Sequence, residues 1–203
     1  MKQRLLLAAL LAACAVPFGG QPAAAQAQSL TQAGFEAYLQ LVAARARGEG
    51  VSEASIARVL TGLTVNPRVI ALDSQQPGRQ VAPPPLAPYL RTHVNPTRIA
   101  RGRERYRETQ GILTRIERQY GVPGRMVIAI WGHETNYGSY MGDFDLARSL
   151  ATLAYEGRRR ALFEGELIAL MKMVDQGVPL SRMKGSWAGA FGHPQFLPSV
   201  WLT

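Results

Sequence analysis

The strongest constraint on the fold is a long helical pattern in the middle of the chain, over residues 95–120. Asn95-Pro96 is a typical helix start, with asparagine as the N-cap and proline in the first turn. Large apolar side chains then recur every seven residues, at Ile99, Tyr106, Leu113 and Tyr120. Because this period is helical and a half-buried strand would alternate instead, the sequence predicts one helix that ends near Tyr120.

Further helices are predicted on both sides of this one. Apolar faces predict three of them, over residues 29–47, 146–155 and 159–175. Ser52 is placed to cap another short helix, which ends at Leu60. Residues 126–131 are apolar without interruption, which predicts a helix that is buried on all sides.

The remaining segments of the sequence are predicted to be irregular. Residues 65–88 contain six prolines, and residues 185–198 contain three glycines and two prolines. Such punctuation is typical of loops and connectors. Since the sequence shows no clear hairpin or strand–helix–strand pattern, we predict a mainly α domain over residues 29–203.

The first 25 residues are predicted to be a secretory signal peptide. Lys2 and Arg4 precede an apolar run that ends at Val16, and small residues follow up to Ala25. This order of basic, apolar and small residues is typical of export signals. The run of about a dozen residues is shorter than the roughly twenty that a membrane-spanning helix needs. Cleavage after Ala25 would place the mature chain in the periplasm.

Cys14 leaves a second interpretation of this leader open. Leu11-Ala12-Ala13-Cys14 also fits a lipobox, in which the cysteine is lipidated and becomes the new N-terminus. Attachment to the outer membrane is expected only in that case. The simpler interpretation is a small apolar residue within the signal, because an alanine-rich cleavage region follows. With one cysteine in the chain, an internal disulfide and a cysteine-based metal site are excluded.

The net charge of the chain indicates a negatively charged partner but does not identify which kind. Lysine and arginine together number 23 against 14 acidic residues, a formal net charge of +9 at pH 7. Such a chain suits a polyanion, namely nucleic acid, an anionic membrane or an acidic wall polymer. Nucleic acid is disfavoured, because export is predicted and no nucleic-acid motif occurs. Glutamates also alternate with the arginines of the central helix at the spacings of helical ion pairs, so most of this basic stripe is expected to be a solvated surface.

Glu134 is the candidate for acid–base chemistry. It lies at the C-terminal end of the predicted buried helix, where apolar surroundings and the negative end of the helix dipole both favour a protonated carboxyl. A protonated carboxyl can serve as a general acid. The alternative is an ordinary, partly exposed residue at a helix end. His133-Glu134 also begins a zinc-protease pattern, but Tyr137 stands where the second histidine is needed, so no metal is predicted.

Five motifs then follow one another in the second half of the chain. They are Gly-His-Glu-Thr-Asn-Tyr-Gly at 132–138, Met-Gly at 141–142, Leu-Ala-Thr-Leu-Ala at 150–154, Arg-Arg-Arg-Ala-Leu-Phe at 158–163, and Lys-Gly-Ser-Trp-Ala-Gly-Ala-Phe-Gly-His-Pro-Gln-Phe-Leu-Pro-Ser at 184–199. In this order and spacing, the sequence resembles the lytic murein transglycosylases of the membrane-bound lytic transglycosylase B type (glycoside hydrolase family 103). The resemblance implies a lysozyme-like, soluble lytic transglycosylase-like α domain whose substrate is peptidoglycan.

The resemblance also implies roles for individual residues. Glu134 would be the single catalytic acid/base. The implied substrate-binding residues are Ser186, Gln195, Phe163, Arg159, Arg160 and Tyr137. In the family pattern, the serine and glutamine position the substrate, the phenylalanine lies against a sugar, and the arginine pair could meet the carboxylates of the peptide stem. Structural alternatives stand beside these roles: loop hydrogen bonds for the serine and glutamine, a core position for the phenylalanine and a solvated surface for the arginines.

The implied reaction needs neither a metal nor a cofactor. Glu134 would protonate the oxygen between N-acetylmuramic acid (MurNAc) and N-acetylglucosamine (GlcNAc), and would then accept the proton of the muramoyl 6-hydroxyl. The product is a 1,6-anhydro end, and no water is consumed. A second carboxylate from Asp143, Asp145 or Glu156 would instead make a hydrolytic muramidase, since ordinary glycosidases use two.

Two departures from the family pattern are visible in the sequence. The chain stops at Thr203, where members of the family continue, so the domain is expected to be incomplete at its C-terminus. Pro194 also removes a backbone N–H just before Gln195. A truncated, non-catalytic fragment that binds peptidoglycan therefore stands beside the active transglycosylase as an alternative.

Overall fold

The computed structural model describes residues 30–76 and 85–203. The predicted signal peptide and Cys14 lie outside the described residues. The helices are α1 Gln32–Gly48, α2 Glu53–Leu60, α3 Pro67–Ser74, α4 Leu86–His93, α5 Pro96–Tyr120, α6 Gly124–Thr135, α7 Leu146–Glu156, α8 Arg160–Asp175 and α9 Pro198–Trp201. Two short strands, β1 Phe144–Asp145 and β2 Lys184–Gly185, complete the regular structure together with a 3-10 turn at Leu180–Arg182.

Side-chain caps fix where several helices begin, as the sequence predicts. The Asn95 side chain accepts a hydrogen bond from the Arg98 backbone N–H at 2.9 Å, and α5 then runs to Tyr120. The hydroxyl of Ser52 caps α2 in the same way. Each cap provides an acceptor for a backbone N–H that the first turn of a helix leaves unpaired. The predictions for α1, α2, α5, α7 and α8 are confirmed to within a few residues.

The prediction of an irregular connector over residues 65–88 is wrong in part. It contains α3, which starts at Pro67 behind an Asn66 cap, and it ends within α4. Asn66-Pro67 is the same start signal as Asn95-Pro96, but only eight residues of helix follow it. The prolines of the segment make it look irregular in the sequence and so hide the pattern of this short helix. Its buried residue Val69 packs on the core.

The hydrophobic core is built around α7 and α8. Eight of the eleven residues of α7 are buried, and α8 contributes a continuous buried face against it. Helices α1, α2 and α3 cover this pair. The largest fully buried side chains are Phe35, Val42, Val69, Leu146, Leu150, Thr152, Leu153, Leu167, Ile168, Leu170, Met171 and Met173.

Helix α6 differs from its prediction, because it is not buried on all sides. One side packs on α5, where Gly124 lies against Leu113 and Tyr106, and Ile128 is buried there. The side chains of Met126 and Ile130 are each 50% exposed. In the described structure, none of the buried residues of α6 belongs to the core around α7 and α8. Helices α5 and α6 therefore form a second packing unit beside the core.

A two-stranded ladder occurs at a place where no hairpin pattern is visible in the sequence. Strands β1 and β2 are antiparallel, with Phe144 opposite Gly185 and Asp145 opposite Lys184. Two residues are too few to show the alternation by which strands are recognised. The ladder joins the start of α7 to the loop that follows α8. No helix in the described ranges is long and apolar enough to cross a membrane.

Asp73 provides a test of how α3 is held on the core. This side chain is 2% exposed, and it accepts hydrogen bonds from Arg158 Nε at 2.9 Å and Arg159 Nη2 at 2.6 Å. We expect Asp73→Asn to lower the free energy of unfolding by about 2 kcal/mol, because the buried acceptor loses the charge that strengthens its hydrogen bonds from Arg158 and Arg159. Urea denaturation measures this change.

Glu53→Gln is the matched control for this variant. It removes a carboxylate that also pairs with an arginine, Arg47, but at the exposed surface. Its midpoint of urea denaturation should stay close to that of the unchanged protein, because exposed pairs contribute little. Equal effects of the two variants would contradict the buried role of Asp73.

Candidate active site

A cleft of about 190 Å³ opens beside the C-terminal end of α6. It is lined by Glu134, Tyr140, Met141, Gly142, Phe144, Ser186, Trp187 and Gln195. Three residues that the resemblance implied for the site thus come together: Glu134 from α6, and Ser186 and Gln195 from the loop after β2. The cleft lies between the two packing units of the chain.

Glu134 is exposed at one edge of this cleft. Helix α6 ends one residue later, because Asn136 and Tyr137 both adopt left-handed backbone conformations with φ of 50° and 62°. The carboxylate accepts no hydrogen bond from any residue that the structure describes. It is therefore available to a ligand. The apolar burial expected around it is not provided by the described residues, which corrects that part of the sequence prediction.

Ser186 begins the opposite wall of the cleft. Its backbone N–H donates to the Ala190 carbonyl at 2.7 Å, and its hydroxyl oxygen accepts from the Ala190 N–H at 3.0 Å. This reciprocal pair closes a tight loop over residues 186–190. Because the hydroxyl acts only as an acceptor here, its own O–H remains able to donate to a ligand.

Gln195 holds two loops of the cleft together. Its side-chain Nε2 donates to the Met141 carbonyl at 3.1 Å and to the Gly192 carbonyl at 3.0 Å. Both amide hydrogens are thereby used, which leaves Oε1 as an acceptor for a ligand. The backbone of Gln195 is left-handed, with φ of 52°. Such strain in a residue other than glycine is typical of functional loops.

Gly142 is required by the way the two walls approach each other. Its φ is 93°, and a Cβ placed there would lie 2.2 Å from the carbonyl carbon and oxygen of Gly185. No side chain fits at that distance. Glycine therefore lets the turn after Met141 lie directly against β2 and sets the width of the cleft.

His193 joins the loop of the cleft to α6. The Trp131 indole Nε1–H donates to His193 Nδ1 at 2.8 Å, and the Thr135 hydroxyl donates to the His193 carbonyl at 3.0 Å. The histidine ring also lies against Gly138, where a Cβ would be 2.3 Å from its Cε1 atom. Because an indole can only donate, Nδ1 is the acceptor and the ring hydrogen is on Nε2.

Sequence reasoning missed several residues that line the cleft. Phe144, Trp187 and Tyr140 bring aromatic rings to it, and Met141 brings its side chain and backbone. Trp187 and Met141 lie within the motifs at 184–199 and 141–142, but the resemblance implies no role for either. Aromatic residues within or just beside the motifs were the signal that could have identified them. Aromatic faces of this kind suit the apolar faces of sugar rings.

Phe163 does not line the cleft. Its side chain is 2% exposed and packs within the core, with the Arg159 guanidinium 4.7 Å from the ring centroid. A ring so fully covered has no surface to offer a sugar. The expectation that Phe163 contacts the substrate is therefore corrected, and its role is in the core.

Arg159 and Arg160 are also engaged elsewhere. Arg159 pairs with Asp73, and Arg160 donates to the Tyr155 carbonyl at 3.2 Å while lying over the ring of Tyr38. Both follow α7, whereas the cleft residue Phe144 precedes it, so the length of this helix separates them from the cleft. The structure thus places the arginine pair outside the site.

Tyr137 packs between α5 and α6 and does not line the cleft. Its hydroxyl donates to the Arg98 carbonyl at 3.0 Å, and its ring fills the space between Gly102 and Gly132. It thereby locks α6 to α5 just after Glu134. The expectation of a substrate contact from Tyr137 is replaced by this packing role.

The other carboxylates considered for chemistry do not line the cleft. Asp145 caps α7 by accepting from the Arg148 N–H at 2.8 Å, and Glu156 accepts from the Arg158 N–H at 2.9 Å. Asp143 lies next to the cleft but does not line it. Among the described residues, Glu134 is thus the one carboxylate of the cleft. Within those same ranges, no cluster of three or more potential ligands is arranged for a metal ion.

Comparisons with known proteins agree with the resemblance seen in the motifs. Residues 34–203 match the family model described as Transglycosylase SLT domain. The membrane-bound lytic murein transglycosylase B of Escherichia coli (strain K12) is 38% identical over 136 residues, which are 63% of this chain and 37% of that protein.

The fold is similar to two crystal structures of SltB3 from Pseudomonas aeruginosa. One is a complex with NAG-NAM-pentapeptide and the other a complex with NAG-anhNAM-pentapeptide. In each case the TM-score is 0.75 and the identity 38%, over 81% of this chain and 44% of that chain. The match confirms the mainly α, lysozyme-like fold class. The chain spans less than half the length of these relatives.

We expect His193→Ala to release the Trp131 indole. The Nε1–H signal of Trp131 in a proton–nitrogen correlation spectrum should move to the position of a solvent-exposed indole, and the free energy of unfolding should fall by about 1 kcal/mol. His193→Gln should preserve much of the signal position, since its amide oxygen can accept the same hydrogen bond. An unchanged Trp131 signal in the alanine variant would contradict the pairing.

Proposed function

The chain belongs to the Transglycosylase SLT domain family, and from this membership we propose that it is a lytic transglycosylase that cleaves the bond between MurNAc and GlcNAc in peptidoglycan. The observation that carries the proposal is the cleft with a single carboxylate, Glu134, opposite Ser186 and Gln195. The names of the relatives support the substrate. SltB3 was crystallised with glycan fragments that carry a pentapeptide.

The first step of the proposed reaction is protonation of the leaving oxygen. Glu134, in its acid form, gives its proton to the glycosidic oxygen as the bond from that oxygen to C1 of the muramoyl residue breaks. The muramoyl N-acetyl group stabilises the positive charge at C1. Glu134 is exposed in the free chain, so a bound glycan strand would itself cover it.

The second step closes a ring within the same sugar. The Glu134 carboxylate accepts the proton of the muramoyl 6-hydroxyl, and the oxygen of that hydroxyl bonds to C1. A 1,6-anhydro-MurNAc end results, Glu134 is again protonated, and no water is consumed. One carboxylate suffices because the nucleophile belongs to the substrate, whereas hydrolytic glycosidases need a second one.

The remaining residues of the cleft position the glycan. The free O–H of Ser186 and the free Oε1 of Gln195 offer one donor and one acceptor to the hydroxyl and N-acetyl groups of the sugars. The rings of Phe144 and Trp187 offer apolar surfaces to the sugar faces. Together these groups would hold C1 of the muramoyl residue near the Glu134 carboxyl, which is how orientation lowers a reaction barrier.

We further propose that the chain acts on the cell wall in the periplasm. The basic, apolar and small-residue order of residues 1–25 supports export. One relative is named as membrane-bound, and lipidation at Cys14 would give this chain the same attachment. Its partner there is the glycan strand of peptidoglycan.

Glu134→Gln tests the chemistry directly. The amide can hydrogen bond but cannot donate and retake a proton, so we expect about a thousand-fold loss of turnover or more. Purified protein is incubated with sacculi, and the released muropeptides are identified by mass spectrometry. The unchanged chain should give 1,6-anhydro-MurNAc ends, which the variant should not.

Other products from the same experiment would contradict the proposal in identifiable ways. Reducing MurNAc ends that depend on Glu134 would indicate a hydrolytic muramidase that uses a second carboxylate. Binding to sacculi without any product, from a protein shown to be folded by circular dichroism, would indicate a non-catalytic peptidoglycan-binding fragment.

The positioning roles are tested by Ser186→Ala and Gln195→Ala. Each should lower kcat/KM by about ten- to a hundred-fold, because a misplaced glycan loses alignment with Glu134. Arg159→Gln is the control that separates the cleft from the arginine pair. It should lower stability through Asp73 while leaving kcat/KM within about two-fold at a temperature where the variant is folded. A larger loss in Arg159→Gln than in Ser186→Ala would contradict this assignment.

A further inference from the structure

The hydrogen bond between Trp131 and His193 sets a condition on the protonation of the histidine. The Trp131 indole donates to His193 Nδ1 at 2.8 Å, and an indole nitrogen can only donate. The neutral imidazole has one nitrogen that accepts, whereas both nitrogens of an imidazolium carry hydrogens. Rotation of a protonated ring therefore cannot restore the bond. Histidine is also the side chain that ordinarily changes its charge between about pH 5 and pH 8.

The surroundings of the ring offer no compensation for a positive charge. On one side the ring lies against Gly138, where a Cβ would be 2.3 Å from its Cε1 atom. The titratable side chains on the elements around His193 are Glu134 and Tyr137 at the end of α6, Arg101, which donates to Ser139 beside Gly138, and Arg182 on the turn 180–182. Among the described residues, no carboxylate forms an ion pair with the ring. A proton on His193 thus gains no partner in place of the lost indole bond.

His193 and Gln195 belong to one tight turn, so a displacement of the first also displaces the second. The Gln195 backbone N–H donates to the Gly192 carbonyl at 3.3 Å and closes this turn. In the part of the chain that the structure describes, two hydrogen bonds attach the turn to α6. One comes from Trp131, and the other from the Thr135 hydroxyl to the His193 carbonyl at 3.0 Å. Loss of the first leaves only the second, and the turn that carries Gln195 can then shift away from the C-terminal end of α6.

We propose that His193 is a positioning residue whose neutral form holds the Gln195 turn on α6, and whose protonation releases that turn and disarranges the cleft. The inference rests on the proposed function, because it takes this cleft to bind the glycan. His193 acts through Gln195 and does not itself touch the reacting atoms. The cleft is aligned near pH 8, and this alignment is lost as the pH falls through the range in which the histidine takes up a proton. Acid thus weakens glycan binding by a route that does not involve Glu134.

Two signals in one proton–nitrogen correlation spectrum report this connection in the unliganded protein. The Trp131 Nε1–H reports the bond to His193, and the side-chain amide of Gln195, which donates to two carbonyls, reports the position of the turn. Between pH 8 and pH 5, both signals should move toward the positions of solvent-exposed groups with one shared midpoint. His193→Gln supplies an acceptor that does not titrate, so both signals should stay in place. Signals that stay fixed in the unchanged protein, or that move equally in His193→Gln, overturn the inference.

Calorimetric titration with GlcNAc-anhydro-MurNAc measures the consequence for the cleft. This product fragment contains no bond for the enzyme to cleave. Its Kd should rise about five-fold from pH 8 to pH 5 in the unchanged protein, which is the change expected from the loss of one hydrogen bond. In His193→Gln the Kd should change by less than about two-fold over the same range. An equal rise in both proteins overturns the inference, since another titrating group such as Glu134 would then be responsible.

His93→Gln is the matched control. It removes a histidine of α4 that stacks on Tyr89 and does not line the cleft. The pH dependence of both signals and of the Kd should be the same in this variant as in the unchanged protein. Circular dichroism at pH 8 and pH 5 checks that each protein stays folded. A pH dependence that disappears in His93→Gln overturns the assignment to His193.

The outcomes also separate this inference from the proposed function. If sacculi are cleaved and the fragment binds equally well at both pH values, only the inference is wrong. If the fragment binds at neither pH and a folded protein releases no anhydro ends, the proposed function is wrong. In that second case, the movement of the Trp131 and Gln195 signals with pH still decides whether His193 controls the turn.

Discussion

The arrangement of the candidate site depends on one connection, the attachment of the loop around His193 to helix α6. The core unites α1, α2 and α3 with α7 and α8, and the described buried residues of α6 pack on α5 instead. Glu134 belongs to one packing unit, and Ser186 belongs to a loop anchored on the other. The hydrogen bonds from Trp131 and Thr135 to His193 bring these units together at the cleft. Their relative position therefore rests on a few polar contacts rather than on a shared core.

Left-handed backbone conformations, which are uncommon for residues other than glycine, cluster at this junction. Three residues other than glycine have positive φ in the described chain, and all three are at or beside the site: Asn136, Tyr137 and Gln195. Such conformations persist only where the surrounding contacts enforce them. Here Tyr137 is enforced by its packing between two glycines and Gln195 by two hydrogen bonds from its side chain. Local contacts thus hold these conformations in place even though the site lies outside the core.

The sequence predicted the helices well where a cap and a long apolar period coincide, as in α5. It failed for α3, whose Asn66-Pro67 start has the same form but is followed by too short a period. The motif resemblance named Glu134, Ser186 and Gln195, which line one cleft in the structure. It also suggested Phe163 and Tyr137, which pack against other parts of the chain. A motif contains residues that contact the ligand and also residues that pack against them without contacting it. Only the fold distinguishes a side chain that touches a ligand from one that holds the wall in place.

The carboxylates of the described structure also divide into those that hold helices and turns and the one that lines the cleft. Asp73 and Asp145, together with Glu156, accept hydrogen bonds that hold helices and turns, so they are not available to a ligand. Glu134 lacks such a partner within the described structure. A chemistry that needs one carboxylate, with its nucleophile supplied by the sugar, matches a cleft that offers only one.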